Sequence, residues 1–411
     1  MIAKNSADQS LVRELNLSSV LRMIHNNAPL SRAQLAARTG LNKSTVSSLV
    51  EELLERKLIH EIGLNSVGTG RPATLLEINS RAGCIIGVEL GVDFVAVVLT
   101  DFVGAILWRA QEAADPTESL EETLSQTLVL VNKAIAASRN INFSLIGIGL
   151  SIPGTVNLDE GTLIFAPNLN WHDIPIREIF SKPTGLRVYL ENDANAAAVA
   201  EHLFGAARQS TDFLFVFAGV GIGGGLFLNG KLYRGKNGYA GEIGHSPIKA
   251  EPADVLCHCG NRGCWETYVN QASILERIRD RMDGHRDSVL ANLMEQQHAP
   301  LSISLIRQAA DAGDQQALDS MSEAGTAMGQ GFANLINIFN PEKIILGGPL
   351  SIAGNYLLPA IRETVREHSL PEIDQQVEIN LSTFGTDASL IGAVAIVVDD
   401  ILSNPTLIER R

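Results

Sequence analysis

Glu242-Ile243-Gly244-His245, followed by Cys257-His258-Cys259-Gly260-Asn261-Arg262-Gly263-Cys264-Trp265-Glu266, is the stretch on which the reading of the chain turns. His245, Cys257, Cys259 and Cys264 supply one imidazole and three thiols, the set that closes a tetrahedral zinc site, and Gly260 and Gly263 permit sharp turns between ligands. The spacing C-x-C-x4-C differs from the common C-x2-C pair. With four protein ligands and no open position, the expected ion is a structural Zn2+ that pins the loop carrying Glu242 and Glu266. Four cysteines in 411 residues are too sparse for a disulfide scaffold, and the fourth, Cys84, lies in an apolar run and reads as a plain buried strand residue.

Outward from this stretch, the pattern from Cys84 onward is strands separated by helices. Residues 84–90, 94–100 and 105–109 read as consecutive strands, 120–137 as a helix, 145–151 and 187–190 as strands, and 192–204 as an alanine-rich helix. A second set follows, with strands at 213–218, 222–228 and 343–346, and helices near 271–282, 302–312, 317–338 and 389–400. Two strand-and-helix sets of this kind predict an α/β body of two lobes with a ligand cleft between them.

The first eighty residues follow a different pattern. Leu17, Val20, Leu21 and Ile24 recur at helical spacing and make one apolar stripe. Ser31-Arg32-Ala33-Gln34 has the form of a capping box, and Gly40 stops the short helix that follows. Asn42 caps a third helix, whose Val46, Leu49, Val50, Leu53 and Leu54 face inward while Lys43, Ser44, Thr45, Ser47 and Ser48 point mostly outward. Strand-like runs at 58–62 and 73–78 flank a loop ending in Gly70-Arg71-Pro72. A short helix, a tight turn and a second helix presenting small hydroxyls and a lysine is an arrangement that enters a DNA major groove. The loop makes a wing whose Arg71 suits a narrow minor groove. An ordinary three-helix cap is the alternative for the helices alone.

Charge separates these regions. Residues 1–80 carry nine Lys/Arg against seven Asp/Glu, net +2, and the rest carries 23 against 39, net −16. An acidic body repels phosphate backbones, so any contact with DNA is confined to the first eighty residues. No apolar run approaches the length of a membrane span, and Met1 to Gln9 lacks the apolar core of a secretory signal, so the expected compartment is the cytoplasm, with no membrane partner.

The stretch 242–266 resembles the signature of the ROK family (repressors, open reading frames and kinases), actin-like proteins that bind sugars; the resemblance covers Gly83 to Ala395. Gly40-Leu41-Asn42-Lys43-Ser44-Thr45-Val46-Ser47-Ser48 places the chain beside the family's transcriptional repressors. Asn168-Leu169-Asn170-Trp171 and Leu232-Tyr233-Arg234-Gly235 look most like its xylose-operon repressors. The resemblance implies a winged helix-turn-helix over 1–80 and a two-lobed actin-like, sugar-kinase-like body over 81–411. Lobe one would span about 81–205 and lobe two about 206–411, with the C-terminal helix free to return to lobe one. It also implies sugar contacts at Asn168, Asn192, Asp193, Glu242, His245 and Glu266, with His245 shared between zinc and sugar. As isolated residues, Asn192 reads equally as a helix cap and Glu266 as a solvated carboxylate; Trp171 reads as packing.

Kinases of the family bind ATP through a loop of the form Asp-x-Gly-Gly-Thr-Lys. The corresponding residues here are Glu89-Leu90-Gly91-Val92-Asp93-Phe94, which put a negative charge where a triphosphate would lie. Pro349 alters a second glycine turn at Gly347-Gly348, while Gly219 to Gly225 keeps its glycine run. Asp193 matches the kinases' general base and is read as a relic of that chemistry. The expected function is therefore a sugar-responsive repressor of carbohydrate catabolism genes, not an enzyme, with a monosaccharide such as xylose as effector. A sugar kinase with an appended DNA-binding domain is the alternative. Operator DNA would meet Asn42, Lys43, Ser44, Thr45, Ser47, Ser48 and Arg71 of each copy, in a homodimer or dimer of dimers that the family and the need for affinity imply.

Overall fold

The stripe Leu17, Val20, Leu21 and Ile24 folds as the buried side of α1 (Ser6–Asn27). After β1 (Leu30–Ser31), α2 (Arg32–Thr39) starts on a complete capping box: Ser31 Oγ accepts from the Gln34 amide at 3.3 Å and Gln34 Oε1 accepts from the Ser31 amide at 2.9 Å. Gly40, at φ 72°, ends it. α3 (Lys43–Glu55) is capped by Asn42, whose Oδ1 accepts from the Thr45 amide at 2.8 Å, and it buries Val46, Leu49, Val50 and Leu53. β2 (Ile59–Asn65) and β3 (Ala73–Ile78) pair antiparallel, and β1 adds to the other edge of β3. The computed structural model describes residues 6–65, 73–114, 119–141, 143–248, 255–282, 288–374 and 376–410; Arg71 lies outside them.

The body uses one plan twice. In the first lobe β4 (Cys84–Leu90), β5 (Phe94–Asp101) and β6 (Ile106–Ala113) form an antiparallel meander. α4 (Leu120–Arg139) crosses over to β7 (Leu145–Ile152), which lies parallel to β4. β8 (Thr155–Asn157), β9 (Thr162–Ala166) and β10 (Trp171–Ile174) make a separate antiparallel sheet. α5 (Ile176–Thr184) then leads to β11 (Val188–Asn192), giving the order β11-β7-β4-β5-β6, and α6 (Asp193–Leu203) follows.

The second lobe repeats the hairpin and parallel extension with β12 (Phe213–Ala218), β13 (Ile222–Leu228) and β14 (Lys231–Leu232). Helices α7 (Glu266–Val269), α8 (Gln271–Met282), α9 (Val289–Gln297), α10 (Ile303–Asp311) and α11 (Gln315–Phe339) precede β15 (Lys343–Gly347). α12 (Gly354–His368), α13 (Pro371–Asp374) and β16 (Glu378–Leu381) complete the order β14-β13-β12-β15-β16. Cys84 and Trp171 are both core residues of the first lobe.

α14 (Ala388–Ser403) closes the chain by packing on the first lobe's sheet and along α6. The approach is backbone to backbone: a Cβ on Gly149 of β7 would fall 1.6 Å from the Ala393 carbonyl oxygen, and one on Gly392 would fall 2.3 Å from the Ala196 carbonyl carbon. Only glycine allows this closeness. Several features depart from the sequence reading, among them α5, α9, α12 and β16, where no element was expected. β6 runs four residues beyond Arg109 to Ala113, and 155–174 is a small sheet where no strands were expected. Its strands are three to five residues long and interrupted by turns, with Asn170 and Asp173 at positive φ, so no alternation is long enough to register. Among the described residues, no helix is long and apolar enough to cross a membrane.

Candidate functional site

Residues of both five-stranded sheets line a cleft of about 470 Å3, within the range of small-molecule sites. All six residues expected at the sugar line this one cavity: Asn168, Asn192, Asp193, Glu242, His245 and Glu266. Asn168 sits in the turn between β9 and β10, so the sheet unforeseen in the sequence is the element that delivers it. The ends of β11 and α6 supply Asn192 and Asp193, and the metal loop supplies the other three. Asn168 Nδ2 and Glu266 Oε2 converge on Gly221, lying 3.6 and 3.1 Å from the position a Cβ would take there.

Three carboxyls of this cavity, Asp193, Glu89 and Glu242, hold their protons to higher pH than exposed ones do. Burial, with Glu242 nearby, pushes Asp193 up to about 7. Burial, with Asp193 and Asp387 adding to it, pushes Glu89 up to about 8, and burial also raises Glu242. Carboxyls that carry protons near neutral pH donate as well as accept, which matches the paired donor and acceptor character of a polyol. Asn192 differs from the rest. Its Oδ1 accepts from the amides of Ala194 and Asn195, and its Nδ2 donates to the Gly154 carbonyl at 3.0 Å. The side chain is therefore a helix cap already engaged on both ends, and it holds the N-terminus of α6 in register with the cleft.

The four residues that could hold a metal ion are drawn together as their spacing suggested. Ligand atoms of His245, Cys257, Cys259 and Cys264 all lie within 4.8 Å of one another. Cys259 Sγ is 3.7 Å from Cys264 Sγ, and Cys257 Sγ is 3.6 Å from His245 Nδ1. A tetrahedron with Zn–S of about 2.3 Å and Zn–N of about 2.05 Å has edges of about 3.8 and about 3.6 Å, so these two pairs already stand at ligand spacing, and the wider pairs would close by up to about 1 Å around an ion. Burial pushes the Cys257 and Cys264 thiols up, a cost that ligation to a cation offsets. His245 presents Nδ1 to the thiols and Nε2 toward Glu242 at 3.7 Å, so one ring faces both metal set and cleft. Glu266 links the same two regions: its Oε1 accepts from Cys257 Sγ at 2.9 Å.

Two pairs that matter to the cleft were missed in the sequence. Arg109 on β6 makes a two-point ion pair with Asp387, at 2.6 and 2.9 Å, on the wall where Glu89 and Asp93 also lie. Arg234 reaches from the second lobe to the buried carboxylate of Glu191 at 2.6 Å, while Glu191 Oε1 accepts from the Asn192 amide and from Asn195 Nδ2. Both pairs join residues 43 or more positions apart, and no local pattern announces them. In the loop 89–94, the ring of Phe94 packs against Gly91.

At the other end of the molecule Asn42, Lys43, Ser44 and Ser48 are exposed and Thr45 and Ser47 half-exposed, all on the first turns of α3. The Asn42 side chain also accepts from Ser44 Oγ at 2.7 Å, so its first duty is to the helix start.

Comparison with known proteins agrees with this architecture. The family model described as "ROK family" matches residues 85–400, and one described as "MarR family" matches residues 18–63. A xylose repressor from Caldicellulosiruptor bescii is 33% identical over 401 residues, covering 97% of this chain and 99% of that protein. A solved ROK family transcriptional regulator, described as a homologue of the Escherichia coli MLC protein, superposes with a TM-score of 0.81 at 29% identity over 96% of this chain and 98% of its own. A ROK family glucokinase from Streptomyces griseus, in complex with glucose and AMPPNP, superposes with a TM-score of 0.68 at 31% identity over 76% of this chain and 99% of its own. The chain belongs to the ROK family and carries, ahead of the actin-like body its kinases share, a winged helix-turn-helix.

Proposed function

We propose that this protein is a sugar-responsive transcriptional repressor of carbohydrate catabolism genes, with residues 1–80 as its DNA-binding unit and 81–411 as its sensor. The observation that carries the reading is the single cleft in which Asn168, Asp193, Glu242, His245 and Glu266 converge, in the same chain as a helix-turn-helix whose recognition helix leaves its polar first turn free. D-xylose, or a related neutral monosaccharide, is the proposed effector, in keeping with relatives named as xylose repressors. His245, Cys257, Cys259 and Cys264 would hold a structural Zn2+. When bound, that ion would lock the loop carrying Glu266 and fix the tautomer of His245, leaving Nε2 for the sugar. Two copies, paired through their bodies, would set recognition helices on half-sites about 34 Å apart. Arg71 and Lys43 would meet phosphate or groove, and Ser44, Thr45 and Ser47 the base edges.

Phosphoryl transfer is disfavoured by the wall opposite the sugar. Asp93 and Asp387 line it, the arginine there is engaged by Asp387, and the Phe94 ring covers the loop where a phosphate would need open backbone. The kinase reading survives on Asp193 and on the likeness to a glucokinase, so the test addresses both. Full-length protein is titrated calorimetrically with D-xylose, D-glucose, N-acetylglucosamine and ATP. In parallel, ADP release and retention of DNA duplexes selected on the same protein are measured. Expected are binding of one sugar, a change in DNA retention with that sugar, and no ADP release. Sustained ADP release, or no effect of any sugar on DNA retention, overturns the reading.

A further inference from the structure

Two helices run side by side from the cleft to the DNA-binding unit. α6 opens with Asp193 in the cleft and ends against α1, where the Phe204 ring lies 6.2 Å from that of His25 and Arg208 donates to the His25 carbonyl at 3.0 Å. α14 begins directly after Asp387, the partner of Arg109. At its second residue, Ser389 Oγ donates at 2.8 Å to Ser151 Oγ, which sits on the strand position paired with Glu89. The glycine contacts at Gly149 and Gly392 leave no side-chain layer to absorb a displacement of either helix, and close-packed backbone of this kind moves as a body.

The far end of α14, about 24 Å away for its 16 residues, is fastened to α1. Ser18 Oγ donates to the Leu402 carbonyl at 2.8 Å, and Arg22 Nη2 reaches Asp399 Oδ1 at 2.8 Å and Ser403 Oγ at 2.6 Å. The last residues then return to the recognition helix itself. Arg56, just past α3, donates to the carbonyls of Thr406 and Ile408, and Arg410 lies 3.1 Å from Glu52 and 3.3 Å from Glu55. Glu52 is a buried carboxylate on α3 that also receives Arg13 of α1 at 2.6 Å and Arg56 at 2.8 Å. Three guanidiniums from three parts of the chain thus meet on one side chain of the element that reads DNA.

We infer that the paired helices α6 and α14, with the tail 404–410, are the element that couples the cleft to the recognition helix. Arg22, Glu52 and Arg410 are its positioning residues: they touch neither ligand and set where α3 stands relative to the cleft. The inference rests on the reading of the cleft as an effector site. A ligand shifts only an equilibrium whose states it binds differently, and this stem is the structure through which a change around Asp193 or Asp387 alters the pose of α3.

The test uses full-length protein, D-xylose and a DNA duplex selected on the wild type. DNA affinity is measured with and without saturating D-xylose, and D-xylose affinity with and without DNA. For the wild type, each ligand is expected to change the other's affinity by the same factor, within the range of about 5-fold to about 150-fold typical of such couplings. In Arg22→Ala/Arg410→Ala the factor is expected to fall to within about twofold of unity, with D-xylose affinity in the absence of DNA staying within about twofold of wild type. Arg410→Lys, which keeps the charge, retains most of the factor. Asp399→Asn, which removes the carboxylate Arg22 holds at little cost in volume, lowers it in the same direction even if the double variant folds poorly. A double variant and an Asp399→Asn protein that both keep the wild-type factor overturn the inference, as does a double variant that loses D-xylose binding. A wild type indifferent to every sugar tested instead sinks the reading of the cleft, before any variant is made.

Discussion

Asp193 and Glu89 show how burial sets the chemistry of single residues in the cleft. Asp193→Asn removes a proton-carrying carboxyl from the sugar contacts and is expected to weaken sugar binding at least about tenfold, or about 1.4 kcal/mol, by calorimetry. DNA binding without sugar should be unchanged. Glu89 makes a prediction about pH. Its carboxyl titrates near 4.5 in an unfolded chain and at about 8 when folded. The folded protein therefore keeps a proton that the unfolded chain releases. The contribution to stability is full below about pH 4.5 and is lost as pH rises toward about 8, by at most about 1.4 kcal/mol per unit. Glu89→Gln cannot titrate, so its Tm is expected to fall less than that of the wild type between about pH 5 and about pH 8. Parallel melting curves would refute this account. The expected sugar contacts that line the cleft and the four residues that cluster at its edge were legible in the sequence because a recognisable signature carried them. The sequence left Arg109–Asp387 and Arg234–Glu191 invisible, since those pairs exist only once distant strands are placed side by side.

At the level of elements, α2 and α3 were readable from their caps, and α1 from its apolar stripe. Ser31 with Gln34 and Asn42 with Thr45 each satisfy a helix start that the sequence already spells out, and the apolar stripes behind them are long and regular. Asn42→Ala should cost about 1 kcal/mol of stability in that unit by thermal unfolding, and weaken DNA binding through the fraying of α3. The sheet at 155–174 lay beyond such reasoning because its strands are too short for a period and its turns set their direction. The loop carrying His245, Cys257, Cys259 and Cys264 would depend on the proposed zinc ion. Stripping it with a chelator, or Cys259→Ser, is expected to lower zinc content, speed amide exchange over 255–266, and reduce sugar affinity, because His245 and Glu266 belong to the same loop. The thiols must release protons to ligate, so zinc should be lost as pH falls.

The molecule as a whole divides its charge, with a basic front and an acidic body, and this fixes how it meets a polyanion. Its DNA affinity is expected to fall steeply with salt, and Lys43→Ala to reduce the slope of log affinity against log salt by about 0.9 if Lys43 meets one phosphate. An unchanged slope would remove Lys43 from the interface. The fold also brings α1 and the stretch after α14 together, since Arg410 closes on the Glu52 carboxylate that Arg13 already holds. During synthesis α1 and α3 leave the ribosome well before Arg410 is made, so this clasp on Glu52 forms only after the whole body that lies between them has been synthesised. A nascent or prematurely terminated product would carry a headpiece without its fastening, and a reporter fused at the carboxyl end would sit beside the helix meant for the promoter.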